Sequence, residues 1–274
     1  MTVSLIQMDI DYGNVDANIA KAEKMMADTR WGSSGGSGNG GSGGCVNCGS
    51  GSGGWADLYV LPEMWSTGYS IHPEDIAEDE QDSRALAWMK KTSAERQCAV
   101  CGSLAIRDGD GLYRNRLYFV TPEGTVSYDK HHLFTYAHED ANYANGDRHT
   151  IVDYRGFRLL LLVCYDLRFP VWSRWGRAGE YDAIVYVANW PSARQFAWDT
   201  LLRARAIENQ CYVVAVNRVG RERKIQYGGG SAVIDPQGIT KNACQGHECT
   251  CQAEIDISTV EIIRNDFPVL LDRD

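Results

Sequence analysis

Three side chains in this sequence follow the carboxyl ends of expected strands and belong to the types that carry out acyl chemistry. Glu63 comes after Leu58-Tyr-Val-Leu-Pro62, Lys130 after Tyr128-Asp129, and Cys164 after Leu159-Leu-Leu-Leu-Val163. A thiol attacks a carbonyl or nitrile carbon as thiolate, so it needs a base, and a carboxylate partly shielded from water is suited to take its proton. Glu63 fits that base. The attack leaves negative charge on oxygen, which a fixed ammonium and the backbone N–H just after the nucleophile stabilise; Lys130 and the amide of Tyr165 fit there. Asn189 and Trp190 follow another apolar run, Ala183 to Ala188, and fit a pocket wall. Each residue also has an ordinary explanation. A cysteine ending a strand is usually a small buried hydrophobe, a glutamate after proline can be a surface turn, and a strand-end lysine a solvated charge.

What gives the three weight together is the elements that must position them. In α/β sheets the carboxyl ends of strands converge on one crevice, where residues distant in sequence can meet. Val3 to Ile10 reads as a first buried strand, and Asn14 to Thr29 as a helix with apolar Val15, Ile19, Ala22, Met25 and Met26 on one face. A strand at Leu58 to Leu61, a helix at Ser83 to Glu95, a strand at Cys98 to Ile106 and a hairpin from Asn115 to Tyr128 come next. Phe157 to Cys164, Ala183 to Ala188 and Cys211 to Val216 are continuous apolar runs, the pattern of strands covered on both faces. A helix is predicted over Trp198 to Asn209, and strands over Ser231 to Asp235 and Gln252 to Ile257. The pattern is α/β, a two-sided sheet system with outer helices.

At 274 residues and 44% apolar the chain can bury one large core, and a single domain spanning residues 1–274 is expected. A formal charge of −9 with no long basic run gives no footprint for nucleic acid or an anionic membrane. No stretch approaches the roughly 18–20 apolar residues needed to span a bilayer, and the N-terminus lacks a signal-peptide pattern. A cytoplasmic protein with a small-molecule partner is therefore expected. Gly32 to Gly54 is nearly pure Gly and Ser and reads as a flexible insert at the amino ends of the strands, away from the chemistry.

The ordered motifs LPEMWSTGY (Leu61 to Tyr69), YDKHHLF (Tyr128 to Phe134) and VCYDLRFP (Val163 to Pro170) resemble the three signature blocks of the nitrilase, or carbon–nitrogen hydrolase, superfamily. ANWP (Ala188 to Pro191) and RARAIEN (Arg203 to Asn209) resemble the next block. The resemblance implies a four-layer αββα sandwich, a Glu-Lys-Cys triad, no metal or organic cofactor, and a homodimer. Glu63 would be general base and then acid, Lys130 the stabiliser of the tetrahedral intermediate, and Cys164 the carrier of a thioester. Glu139, in FTYAHED, is the candidate for the second glutamate that many members place after the lysine. CYDLRFP with HLFTYAHED looks most like the ω-amidase branch, which hydrolyses the distal amide of short 2-oxo dicarboxylic acid monoamides. Such a substrate carries a carboxylate, for which Arg168 or Arg194 supplies a bidentate partner. A nitrilase or an N-carbamoyl amine hydrolase would share the triad.

Other features point elsewhere. His131 and His132 beside Lys130 suggest a Cys-His dyad, although a role in orienting the loop suits a lysine-centred site better. The nine cysteines include Cys98 and Cys101, on a strand where their side chains point in different directions. Cys45 and Cys48, with the cluster Cys244, His247, Cys249 and Cys251, raise a zinc site or redox disulfide, and with it the rival class of a cysteine-rich metal- or redox-binding protein. No metal is assigned, because the sequence pattern offers nothing rigid to present these ligands.

Overall fold

The computed structural model of the protein describes residues 1–27 and 55–273; the Gly/Ser segment with Cys45 and Cys48, and the expectation about where it sits, lie outside the described residues. The chain order begins with strand β1 (Thr2–Gln7), helix α1 (Val15–Ala27), β2 (Leu58–Val60), the short β3 (Glu78–Asp79) and helix α2 (Arg84–Arg96). It continues through strands β4 (Ala99–Arg107), β5 (Tyr113–Thr121), β6 (Gly124–Asp129), β7 (Ile151–Tyr154) and β8 (Phe157–Val163). Next are a one-turn helix α3 (Pro170–Ser173), β9 (Ala183–Ala188), α4 (Gln195–Asn209) and β10 (Tyr212–Asn217). The order closes with the hairpin β11 (Val219–Glu222) and β12 (Ile225–Gly228), then β13 (Ala232–Ile234), β14 (Thr240–Ala243), β15 (Cys249–Glu254) and helix α5 (Ile257–Asp266).

Two sheets result. The first has the order β15-β1-β2-β4-β5-β6 with β3 beside β4, and the second the order β14-β13-β10-β9-β8-β7. Their central strands are apolar on both sides because both sides are covered. Leu58 and Val60 face the core between the sheets, whereas Tyr59 and Leu61 face the layer formed with α1 and α2. On the far side α4 buries Trp198, Leu202, Ala206 and Asn209, a helical spacing, over the second sheet. This is the four-layer αββα sandwich expected from the motifs. No helix among the described residues is long and apolar enough to cross a membrane.

Local signals fix the element ends. Ser83 caps α2 by accepting the Leu86 N–H at 3.0 Å. The helix stops at Gln97, which takes a left-handed φ of 53°. The predicted strand through Ile257 ends instead at Glu254, and Asp256 starts α5 by accepting the Ser258 N–H at 3.0 Å. The hairpin β11–β12 and the edge strands β7 and β14 carry no clear sequence signal, because their alternation is broken by exposed polar residues such as Arg221, Gln226 and Lys241.

A close approach in β4 places the segment that leaves β2. This segment lies across β4, with the Leu61 N–H on the Cys101 carbonyl at 2.7 Å and the Met64 N–H on Ser103 Oγ at 2.9 Å. A Cβ on Gly102 would fall 2.8 Å from Trp65 Cδ1 and 2.9 Å from Leu61 Cβ. The glycine lets this segment, which carries Glu63, lie against the strand. Gly102→Val is therefore expected to lower stability by about 1–3 kcal/mol, the usual range for overpacking, and to lower activity as well. Urea denaturation measures the first, and an unchanged midpoint would refute the packing account.

Candidate active site

Strands β1, β2 and β4 run parallel, and β6 returns to the same direction because β4–β5 and β5–β6 are both antiparallel. Glu63 beyond β2 and Lys130 beyond β6 thus leave the first sheet at the same end. In the second sheet β8 and β9 are parallel, so Cys164 and Asn189 also emerge together. The predicted convergence holds, with the refinement that it draws on strand ends from two facing sheets.

Cys164 follows β8 at a sharp turn, with a left-handed φ of 45° that side-chain-bearing residues rarely adopt. The buried Asp166 holds this turn. Its Oδ2 accepts the Val163 N–H at 3.0 Å and the Tyr128 hydroxyl at 2.8 Å, and its Oδ1 accepts the His132 N–H at 2.9 Å. The turns carrying the lysine and the cysteine are thereby tied together. His132 Nδ1 also contacts Asp166 Oδ1 at 2.9 Å, and its ring stacks on Phe169 at 3.8 Å. His131 contacts the Gly146 carbonyl through Nδ1 and stacks on Trp172 at 3.6 Å. The histidines brace the loop, and Glu63 is the carboxylate whose charge acts most strongly on the Cys164 thiol.

Lys130 is 1% exposed and Glu63 and Glu139 are equally buried. The ammonium donates to Glu63 Oε1 at 3.0 Å and to both Glu139 oxygens, at 3.1 and 2.9 Å. Glu63 also accepts from Asn115 Nδ2 at 2.7 Å and from the Asn189 N–H at 2.8 Å. Glu139 accepts the Phe134 N–H at 2.6 Å. Ser103 extends the chain by donating to Asn115 Oδ1 at 2.9 Å. Burial opposes the Lys130 charge, but Glu139 and Glu63 overcome it and hold its pKa well above the ordinary lysine range. For Cys164 the result is the reverse. Burial first, then the Glu63 charge, push the thiol well above its ordinary range, and Lys130 offsets only part of this. The resting sulfur is a thiol, ready to give its proton to an adjacent carboxylate as it attacks.

These groups floor a cleft of about 90 Å³. Of the sequence candidates, Glu63, Lys130, Cys164, Tyr165, Arg168, Asn189, Trp190 and Arg194 all line it. Glu139 does not, and touches the cleft through Lys130 and the backbone N–H of Phe134, which line it. Arg168 lies 4.8 Å over the Trp190 ring, and Arg194 lies 5.5 and 5.4 Å over Phe134 and Tyr136. Sequence reading missed Tyr69, Asn115, Ser103, Asp166 and the hairpin residues Ile225 and Tyr227. A signal existed for Ser103, a polar position inside the apolar run of β4, but not for Asn115, which lies between Arg114 and Arg116. Cys98 and Cys101 do face different layers, the first toward α1 and α2 and the second between the sheets.

A buried carboxylate, a buried ammonium and a thiol on a strained turn, set in an αββα sandwich, are the equipment of a hydrolase that passes through a thioester. The chain belongs to the carbon-nitrogen hydrolase family, whose profile matches residues 2–265, and is a hydrolase acting on carbon–nitrogen bonds other than peptide bonds. More particularly, it is 42% identical over 223 residues to omega-amidase YafV of Escherichia coli K12, covering 80% of this chain and 84% of that one. It is 33% identical over 274 residues to the 2-oxoglutaramate amidase of Bacillus subtilis, covering 99% and 96%. Among solved structures, a CN-hydrolase superfamily protein from Xanthomonas campestris with an arsenic adduct in its active site matches at TM-score 0.86 and 35% identity, covering 100% and 97%. Nit3 of Saccharomyces cerevisiae shares the fold at TM-score 0.80 and 21% identity, covering 98% and 94%.

The electrostatics of the cleft predict two outcomes. Lys130→Met leaves two buried carboxylates facing each other without a cation and is expected to cost about 3–5 kcal/mol, read by urea denaturation, whereas Cys164→Ala leaves stability nearly unchanged. Because the Cys164 thiol is raised, its alkylation by iodoacetamide without substrate should keep accelerating as pH rises past the ordinary thiol value of about 8.5. A plateau reached below that pH would show a preformed thiolate and contradict the account.

Proposed function

We propose that this chain is an ω-amidase that cleaves the distal amide of a short 2-oxo dicarboxylic acid monoamide, giving ammonia and a 2-oxo acid such as 2-oxoglutarate. The observation that carries this reading is the pairing of the reactive floor with Arg168 and Arg194. Both guanidiniums line the same cleft as Cys164, braced on aromatic faces, and neither forms an ion pair with a carboxylate among the described residues. A substrate with an amide at one end and a carboxylate at the other spans that arrangement. The omega-amidase and 2-oxoglutaramate amidase relatives support the same substrate class.

In the proposed reaction Glu63 takes the Cys164 proton as Sγ bonds to the amide carbon. The oxyanion is stabilised by Lys130 Nζ and the Tyr165 backbone N–H. Collapse breaks the carbon–nitrogen bond, Glu63 returns the proton to the departing ammonia, and a thioester remains on Cys164. Water, deprotonated by Glu63, then attacks the thioester and releases the acid and the thiol. Asn189 holds Glu63 through its backbone N–H and, through Nδ2, donates to the Glu63 carbonyl at 2.9 Å. Trp190 forms the wall on which Arg168 rests, and Glu139 fixes the ammonium.

Cys164→Ala should abolish ammonia release from 2-oxoglutaramate while leaving the fold intact. Arg168→Ala and Arg194→Ala should raise KM for 2-oxoglutaramate by at least about tenfold, as expected for loss of a charged hydrogen bond, and change hydrolysis of a neutral amide of similar length little. Equal losses on both substrates would remove the carboxylate role. A panel of amides, carbamoyl compounds and nitriles, assayed for ammonia, tests the reaction class, and preferred turnover of a nitrile or a carbamoyl compound would overturn the ω-amidase reading.

A further inference from the structure

β14 lies at the edge of the second sheet and β15 at the edge of the first, so the turn between them crosses from one sheet to the other. Three cysteines sit on that crossing. Cys244 follows β14, and Cys249 and Cys251 belong to β15, two residues apart and therefore on one face of the strand. All three pack on the core between the sheets. Their Sγ atoms lie within 4.8 Å of one another, and those of Cys244 and Cys251 are 2.7 Å apart.

The backbone that presents them is fixed from several sides. Cys249 and Cys251 pair in register with Gln7 and Leu5 of β1, and the Cys244 N–H donates to the Ser231 carbonyl at 2.8 Å. Gln7, fully buried, donates from Nε2 to the Gln245 carbonyl and to the His247 carbonyl, the latter at 2.8 Å, and contacts Cys249 Sγ at 3.7 Å. Its Oε1 accepts from the Ser231 N–H at 3.0 Å and from Ser231 Oγ at 2.8 Å. The rigid frame that the sequence pattern did not offer is therefore present. His247 is exposed and its ring is not part of the sulfur cluster.

We propose that Cys244, Cys249 and Cys251 form a Zn²⁺ site that ties the edges of the two sheets together, a structural centre separate from the catalytic cleft. An all-sulfur donor set selects soft or borderline cations over Mg²⁺ or Ca²⁺. Zinc–sulfur bonds of about 2.3 Å in a tetrahedron place the sulfurs roughly 3.8 Å apart, which this trio reaches with small side-chain rotations. A donor beyond the trio completes the tetrahedron. Binding displaces the three thiol protons, so occupancy falls with pH.

The test is the zinc content of the full chain purified under reducing conditions without chelator, measured by inductively coupled plasma mass spectrometry. About one zinc per chain is expected, falling at least about fivefold in Cys244→Ser and in Cys251→Ser and unchanged in Cys164→Ala. Since the serine variants risk misfolding, the wild-type protein is also stripped with a chelator and a reductant. Its Tm should fall, return on adding Zn²⁺ but not Mg²⁺, and zinc should protect Cys244, Cys249 and Cys251 from alkylation in peptide mapping. Zinc retained in the Cys244→Ser, Cys251→Ser double variant, zinc lost in Cys164→Ala, or a zinc-free protein with a Cys244–Cys251 disulfide would each overturn the proposal.

Discussion

Lys130 carries its charge into the interior at the floor of the cleft, and the rest of the cleft is arranged around that ammonium. A cation at 1% exposure is tolerated only with carboxylates in contact, and two are present, Glu63 and Glu139. Two carboxylates on one lysine leave an excess negative charge. Neutral donors share it: Asn115 Nδ2 and the Asn189 N–H on Glu63, and the Phe134 N–H on Glu139. Burial first, and then the Glu63 charge, hold the Cys164 thiol well above its ordinary range. Glu63, Lys130 and Cys164 are thus one coupled charge system rather than three independent residues.

That system exists only when the two sheets are packed face to face. Glu63 and Lys130 come from the first sheet, and Cys164 and Asn189 from the second. The links between the halves are buried and short, including the Asn189 contacts to Glu63 and the Tyr128 hydroxyl on Asp166. Reactive groups on separate elements require this kind of frame, because a loop-borne group with the same neighbours would lose rotational entropy each time they assembled. Backbone strain is present where the frame delivers the side chains: Met64, next to Glu63, and Cys164 itself both have left-handed φ angles, 43° and 45°.

Much of this architecture is legible in the sequence, and the reason is physical. Strands covered on both faces must be apolar at every position, so β8, β9 and β10 stand out as continuous runs and their ends mark where polar chemistry begins. Glu63 and Cys164 lie at such ends, whereas Lys130 follows β6, an edge strand with an exposed, polar pattern. What stays hidden depends on partners that pattern alone does not bring together. Asp166 serves Tyr128 and His132 from another sheet, Asn115 sits mid-strand, and Ile225 and Tyr227 reach the cleft from a hairpin whose polar alternation resembles a loop. The cysteines of the last hairpin teach the opposite lesson. Their spacing is visible, but the rigidity that gathers them comes from Gln7 and the register with β1, at the other end of the chain.

The hydrogen-bond count at Lys130 sets the timing of the proposed reaction. An ammonium has three N–H bonds, and all three are engaged at rest, one by Glu63 and two by Glu139. An arriving oxyanion must therefore take one from a carboxylate. Glu63 is the partner that can yield, because its grip weakens at the moment it accepts the thiol proton and becomes neutral. In the proposed reaction the Lys130 side of the oxyanion site is thus engaged by default and is released while Glu63 holds the proton, for as long as the tetrahedral intermediate lasts. Charge stabilisation in this cleft acts as a clocked event, with the proton as the clock.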